Sequence, residues 1–230
     1  MNPAPTLPPV FDVVPADDPG VNPAAIYGYD DGTSENLLGL SGGGTICWMQ
    51  YFETSGENDT INEISVAFGS SAFPGFAPPN GTPAFVGVWN DPTNDGDPSD
   101  AVLLDVKETT IRNVDTDQFN VVRLRIQVSV NSGFFIGAWA SHAPREFVAP
   151  VDQSQQYVRG RSWVVGDKDD NFDPSNLLNN GVPPTDAVDV GMPGYFLLRA
   201  ATGEGLKLQV LGPCPAEVTL AATGASPGDR

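Results

Sequence analysis

The chain has 230 residues, with 11 Lys+Arg against 29 Asp+Glu and a formal charge of −18. That balance leaves no cationic footprint for nucleic-acid phosphates, and no apolar run approaches the ~20 residues of a membrane-spanning helix. Hydrophobic residues at 40% still suffice for a core, while 25 Gly and 22 Pro interrupt the chain often.

Residues 1–24 hold seven prolines and read as an extended arm or linker. They lack the basic and apolar regions of a signal peptide, so an exported protein is expected here in mature form. From 25 to 211 the pattern is a run of short strands. IYGYD (26–30) is the first. In TICWMQYF (45–52), Ile46, Trp48, Gln50 and Phe52 alternate with Cys47, Met49 and Tyr51. INEISVAFG (61–69) sets Ile64, Val66 and Phe68 on one face. PAFVGVWN (83–90) separates Phe85 and Trp89 from Val86 and Val88. AVLLDVKET (101–109) follows. FNVVRLRIQVSV (119–130) is the clearest alternation: Val122, Leu124, Ile126, Val128 and Val130 against Arg123, Arg125, Gln127 and Ser129. That is a half-buried strand with a wet outer face. GFFIGAWAS (133–141), RSWVVG (161–166), YFLLRAA (195–201) and LKLQVL (206–211) complete about ten strands. The Pro-bearing loops 70–82 and 142–160 are expected to cover one end or face, and 212–230 reads as a linker-like tail.

Composition agrees with strands: 24 Val outnumber 15 Leu, and 21 of the 29 acids are Asp, the acid of turns and oxygen-ligand loops. Only three lysines occur. Low Lys with high Asp suits a saline or calcium-containing exterior, and equally a plain acidic surface. The expected fold is all-β, a single antiparallel β-sandwich of jelly-roll type.

Two cysteines, Cys47 and Cys214, fit a disulfide in an oxidising compartment, closing a loop of about 167 residues and contributing about 4–5 kcal/mol. Two buried thiols are the other reading. The strongest chemical signals are two Asp clusters. The first is Asp91, Asn94, Asp95, Asp97 and Asp100 around Gly96. Alternating oxygen ligands with a turn glycine are what a calcium loop needs, yet the twelfth loop position is Val102 rather than an acid, so this is no EF-hand. The second is Asp167, Asp169, Asp170, Asn171 and Asp173, again without a terminal acid. Each reads as a calcium site or as an Asx/Pro-rich turn.

Catalytic readings fare worse. His142 is the one histidine, and with two distant Cys it cannot complete the usual catalytic zinc set. A serine triad would need His142 as its base. Gly39-Leu40-Ser41-Gly42-Gly43 spells G-x-S-x-G, but a nucleophile elbow needs a helix after the serine, and here a strand follows. Among the acids beside strands (Glu35, Glu53, Glu63 and Glu108), nothing selects the pair a glycosidase requires. Trp48, Trp89, Trp139 and Trp163 lie in strands and are expected in the core rather than as sugar platforms. The sequons at Asn58 and Asn80 matter only in a glycosylating pathway.

Tyr29-Asp30-Asp31-Gly32-Thr33-Ser34-Glu35-Asn36, followed by GLSGGGTICWMQYF, resembles the opening of a β-sandwich module of secreted bacterial multidomain proteins. INEISVAFG, PAFVGVWNDPTNDGDPSDAVLL, GFFIGAWASHAP, RSW and PGYFLLRA are similar to its later pieces, over roughly 26–201. The resemblance implies an extracellular or cell-surface, non-enzymatic accessory module with no established ligand. The resulting expectation is a structural, adhesive or self-assembling module, with calcium in its Asp loops. Its partners would be neighbouring copies or domains, with the Pro-rich arm completing a neighbour's sheet edge. A polysaccharide-binding module is the alternative, and a secreted glycan hydrolase the competitor from another class.

Overall fold

A computed structural model describes residues 26–54, 59–130, 132–202, 209–210 and 220–221, apart from the side chains at 125–127, 209–210 and 220–221. Among the described residues, thirteen strands make up the larger unit, which lies within residues 24–205. They are β1 (Ile26–Tyr27), β2 (Asn36–Leu38), β3 (Gly44–Glu53), β4 (Asp59–Val66), β5 (Pro83–Asn90), β6 (Val102–Thr110) and β7 (Asn120–Val130). They continue with β8 (Gly133–His142), β9 (Ala149–Asp152), β10 (Ser162–Asp167), β11 (Val182–Asp186), β12 (Tyr195–Phe196) and β13 (Leu198–Thr202). Helix among the described residues is confined to 3-10 turns at Pro98–Asp100 and Leu177–Asn179, and none is long and apolar enough to cross a membrane. In the second unit, β14 (Gln209–Val210) and β15 (Leu220–Ala221) form an antiparallel pair. The expected arm over 1–24, most of the tail, Cys214 and the Asn58 sequon lie outside the described residues.

All strand pairings among the described residues are antiparallel. One sheet runs β1-β13-β4-β7, a second β11-β10-β3-β8-β5-β6, and a short third β12-β9-β2. The result is an antiparallel β-sandwich. Successive strands swap repeatedly between the two main sheets, with β10 and β11 added beyond β3. The facing sides meet in one apolar core. Ile46, Trp48 and Phe52 of β3, Val86 and Val88 of β5, and Phe134, Ile136 and Ala138 of β8 pack against Ile61, Ile64, Val122, Val128 and Leu198 of the opposite sheet. Side chains of this size each contribute about 1.5–3 kcal/mol when fully buried. Gln50 is the polar intruder: its amide nitrogen is placed to donate to the carbonyls of Phe196 and Leu198 at 3.0 and 2.6 Å, which satisfies it in an apolar setting.

Several strands depart from the alternation read in the sequence. Ile61 and Ile64 both point into the core although three positions apart, because Asn62 is bulged. The β13 partners pass from Ala201↔Glu63 to Thr202↔Ile61, giving two residues against one. On β7 the pairing to β4 jumps from Val128 to Arg123 across this point. YFLLRAA is not one strand. Tyr195 and Phe196 pair with β9, Leu198 onward pairs with β4, and the buried Leu197 marks the crossing between sheets. The loop expected over 142–160 contains β9, flanked by β2 and β12. β11 carries Pro183 and Pro184 and sits at a sheet edge, where missing amide donors are tolerated.

Phe134→Ala is expected to cost about 3–5 kcal/mol in urea unfolding. Ser129→Ala, on the exposed side of β7, should stay within about 0.5 kcal/mol. Equal losses at both sites would contradict the assigned faces.

Candidate functional site

The outer face of the six-stranded sheet is a second apolar cluster. Cys47, Met49, Tyr51, Trp89, Phe135, Trp139 and Val165 are buried there with Leu177, and Phe85, Leu103, Trp163 and Phe172 pack around them. Two of these aromatics lie close to the backbone because glycines face each other across β5 and β8. Gly87 pairs with Gly137. A Cβ at Gly87 would lie 2.7 Å from Trp89 Cη2 and 3.1 Å from Trp139 Cζ3. As expected, Trp48 is buried in the main core and Trp89 and Trp139 in this second cluster, while Trp163 is half-buried against it.

Both Asp-rich loops cover this face, and they are tied down differently. In the first, the Asp91 carboxylate is buried. It accepts the Asn94 and Gly96 N–H groups at 2.8 and 2.9 Å and the Thr93 hydroxyl at 3.3 Å. Asn94 (φ 57°) supplies its side-chain oxygen to the Tyr51 hydroxyl at 3.2 Å. Asp95 accepts from Asp97 N–H, and Asp97 caps the Pro98–Asp100 turn through Ser99 N–H at 2.9 Å. Of the five predicted ligands, Asp91, Asp95 and Asp100 come together, with carboxylate oxygens within 4.8 Å of one another. Asn94 and Asp97 are engaged elsewhere.

In the second loop the carboxylates disperse. Asp167 accepts the Asp169, Asn171 and Gly181 amides at 2.8, 3.1 and 3.2 Å, and these bonds lower its pKa below the ordinary 3.8. Asp173 caps Ser175 through both N–H and hydroxyl, again with a lowered pKa. Asp169 and Asn171 contribute backbone amides to the turn. Asp170, at φ 57°, reaches away to accept the Thr45 hydroxyl at 2.9 Å. Among the described residues, the second cluster forms no group of three converging carboxylates.

Thr45 and Asp170 belong to a cleft of about 370 Å³, lined also by Phe85, Trp139, Ser141, Phe172 and the start of β5. Phe85 stacks on Trp139 at 5.4 Å and 12°, and Phe172 meets Trp139 at 5.5 Å and 50°. The sequence singled out Asp170 and Trp139 separately. Nothing in it joined them to Thr45 or Phe85, because the contacts span strands distant along the chain.

His142 and Cys47 are fully committed. His142 Nε2 accepts Leu40 N–H at 3.1 Å, and Nδ1 lies 3.0 Å from the Ala143 carbonyl. The ring therefore pins the Gly39–Gly43 turn through main chain rather than through Ser41. Cys47 carries a free thiol sealed in the outer cluster, and burial pushes its pKa up. Its expected disulfide partner, Cys214, lies outside the described residues. The DDGT segment serves as a clamp: Asp30 takes a bidentate bond from Arg199 at 2.6 and 3.1 Å. Asp31 closes its turn on Thr33 and donates N–H to the buried Asp152 at 2.8 Å.

No family model and no curated protein sequence matches the chain. One solved structure to which it is similar is the clostridial cysteine protease Cwp84, a Cys-to-Ala form after propeptide cleavage, at 13% identity and a TM-score of 0.51. The match covers 78% of this chain and 40% of that one. At this identity the likeness concerns the fold, and the chain spans well under half the length of the protease.

Two outcomes follow from this geometry. Because the native pKa values of Asp31, Asp167 and Asp173 are lowered, their contribution is complete above the unfolded value of about 4 and is lost as pH falls through the native values. Melting temperatures from pH 5 to 2 should decline, and less steeply in Asp167→Asn. Gly87→Ala should destabilise by about 1–3 kcal/mol through overpacking against Trp89, read by urea unfolding with tryptophan fluorescence.

Proposed function

We propose that the chain is a non-catalytic β-sandwich module of extracellular or cell-surface bacterial proteins, structural or adhesive in role, with calcium stabilising its 91–100 loop. The interleaving of its strands between sheets supports a jelly-roll form. The observation carrying the functional reading is how its reactive side chains are used. His142 spends both ring nitrogens on main chain, Cys47 is sealed beneath apolar side chains, and most of the loop carboxylates accept backbone amides. These groups hold loops against the sheet, which is scaffold work rather than bond-making. The peptidase activity in the name of the similar clostridial protein finds no support in these residues, and neither does a serine triad built on His142. Calcium is favoured at the first loop because Asp91, Asp95 and Asp100 converge. Three like charges so close repel one another unless a cation or solvent offsets them. Calcium takes six to eight oxygens, so loop carbonyls and water would complete the shell.

Thermal melts read the proposal directly. EDTA should lower the melting temperature of the wild type, and excess Ca²⁺ should restore it. Asp95→Asn/Asp100→Asn, altering exposed side chains, should abolish the calcium response. A wild type indifferent to both reagents removes calcium. Sedimentation of the full chain over a hundredfold concentration range tests the assembling form: self-association is expected, and a monomer throughout leaves adhesion as the role. Release of product from a panel of polysaccharides or peptides would overturn the non-catalytic reading.

A further inference from the structure

We propose that the cleft between the starts of β3 and β5, the end of β8 and the 167–173 loop binds a neutral sugar residue. This rests on the adhesive form of the function proposed above and gives it a site. The cleft's volume, about 370 Å³, lies within the range of small-ligand sites.

Its chemistry is directional. Thr45 Oγ1 lies 2.9 Å from Asp170 Oδ1, and the carboxylate accepts, so the Thr45 hydroxyl proton points at Asp170. Ser141 Oγ lies 2.7 Å from Thr45 Oγ1. With the Thr45 proton already committed, Ser141 is the donor of that second bond. The relay runs from Ser141 to Thr45 to Asp170, and every proton in it is used internally. What remains facing the cleft is acceptor capacity: the lone pairs of Ser141 and the second oxygen of Asp170, whose one hydrogen bond among the described residues is from Thr45. Such a wall wants a ligand that donates.

Anions are excluded twice, by Asp170 itself and by the formal charge of −18. Beside these groups, on the same sheet face, the lining is aromatic. Phe85 is half-buried and stacked flat on Trp139, which is itself braced by Trp89 at 5.9 Å and by Phe172. A pyranose presents an apolar C–H face beside a row of hydroxyl donors, and so matches both parts of this lining at once. An alkylammonium ion would use Asp170 but needs several open aromatic faces around it. Here Trp139 is 6% exposed, which leaves the half-buried Phe85 and Phe172 to present ring surface, enough for one sugar face and too little to enclose a cation. The left-handed backbone at Asp170 fits the same reading. The Asp167 carboxylate closes the turn on three amides and leaves Asp170 at its tip, held over the cleft by one bond to β3. Backbone in this sparsely populated region persists when its surroundings hold it there.

The test is tryptophan-fluorescence titration of the full chain with cellotriose, chitotriose, xylotriose, maltotriose and mannotriose, with choline chloride as the cation probe. A saturable response to at least one trisaccharide is expected. It should weaken at least tenfold in Asp170→Asn, which removes the charged acceptor, and in Ser141→Phe, which fills the cleft from an exposed position. Ser129→Ala on the other sheet should bind like the wild type, and melting temperatures identify any variant that fails to fold. Trisaccharide binding unchanged in both folded cleft variants moves the site elsewhere and overturns this assignment while sparing an adhesive module. Silence toward all five sugars overturns it too, and leaves the module proposal to its calcium and sedimentation results. A response to choline alone, lost in Asp170→Asn, replaces the sugar with an organic cation.

Discussion

Strands β3 and β8 are buried on both faces over nearly all their length. One side of each lines the core between the sheets, and the other is covered by the segments that join β5 to β6 and β10 to β11, through Ala101, Phe172 and Leu177. A sheet in this position cannot be left to solvent, so the chain must supply a cover. In a domain almost without helix, that cover has to be loop. Such loops keep a fixed shape only where their turns are closed, and Asp side chains close turns by accepting backbone amides. The high Asp content answers this demand. Asp91, Asp97, Asp167 and Asp173 each accept amides from their own turn, which lets the covering loops hold a fixed shape over an apolar face. Acidity and burial, which look opposed in the composition, are coupled here.

The same constraint separates two clusters that look alike in the sequence. Both are Asp-rich, Asn-containing and placed between strands. In the first, the buried Asp91 gathers its loop inward and brings Asp95 and Asp100 beside it. In the second, Asp167 collects three amides from within and beyond its turn, and the remaining side chains splay. Spacing along the chain sets which oxygens are available. Which of them meet depends on where the loop lands on the sheet.

Much of the sandwich was legible in residue parity. The split of Ile46, Trp48 and Phe52 from Cys47, Met49 and Tyr51, and of Phe85 and Trp89 from Val86 and Val88, survives in the two clusters. Parity could not say that the second set was also buried, since a strand with two apolar faces reads the same whether its outer face meets solvent or a loop. It also failed where the backbone counts differently: at the Asn62 bulge, at Leu197 where one apolar run serves two sheets, and at β11, where two prolines mask an edge strand. The cleft was illegible because its parts are far apart in sequence. Thr45 and Asp170 are 125 positions apart, and neither carries a local signal for the other. The roles of His142 and Asp30 were hidden for the same reason. Each depends on a partner, Leu40 or Arg199, brought near by folding.

The pairing of β1 with β13 sets Ile26 opposite Ala201 and Tyr27 opposite Ala200. The sandwich's first and last strands are thus antiparallel neighbours, and its entry and exit points lie side by side. Tension applied through those two points would not shear the pair along its length. It would peel β1 away one hydrogen bond at a time, with the Asp30–Arg199 clamp as the first strong obstacle behind the two-residue strand. Loaded through those two points, the sandwich would therefore yield from this edge before its central strands bear the strain.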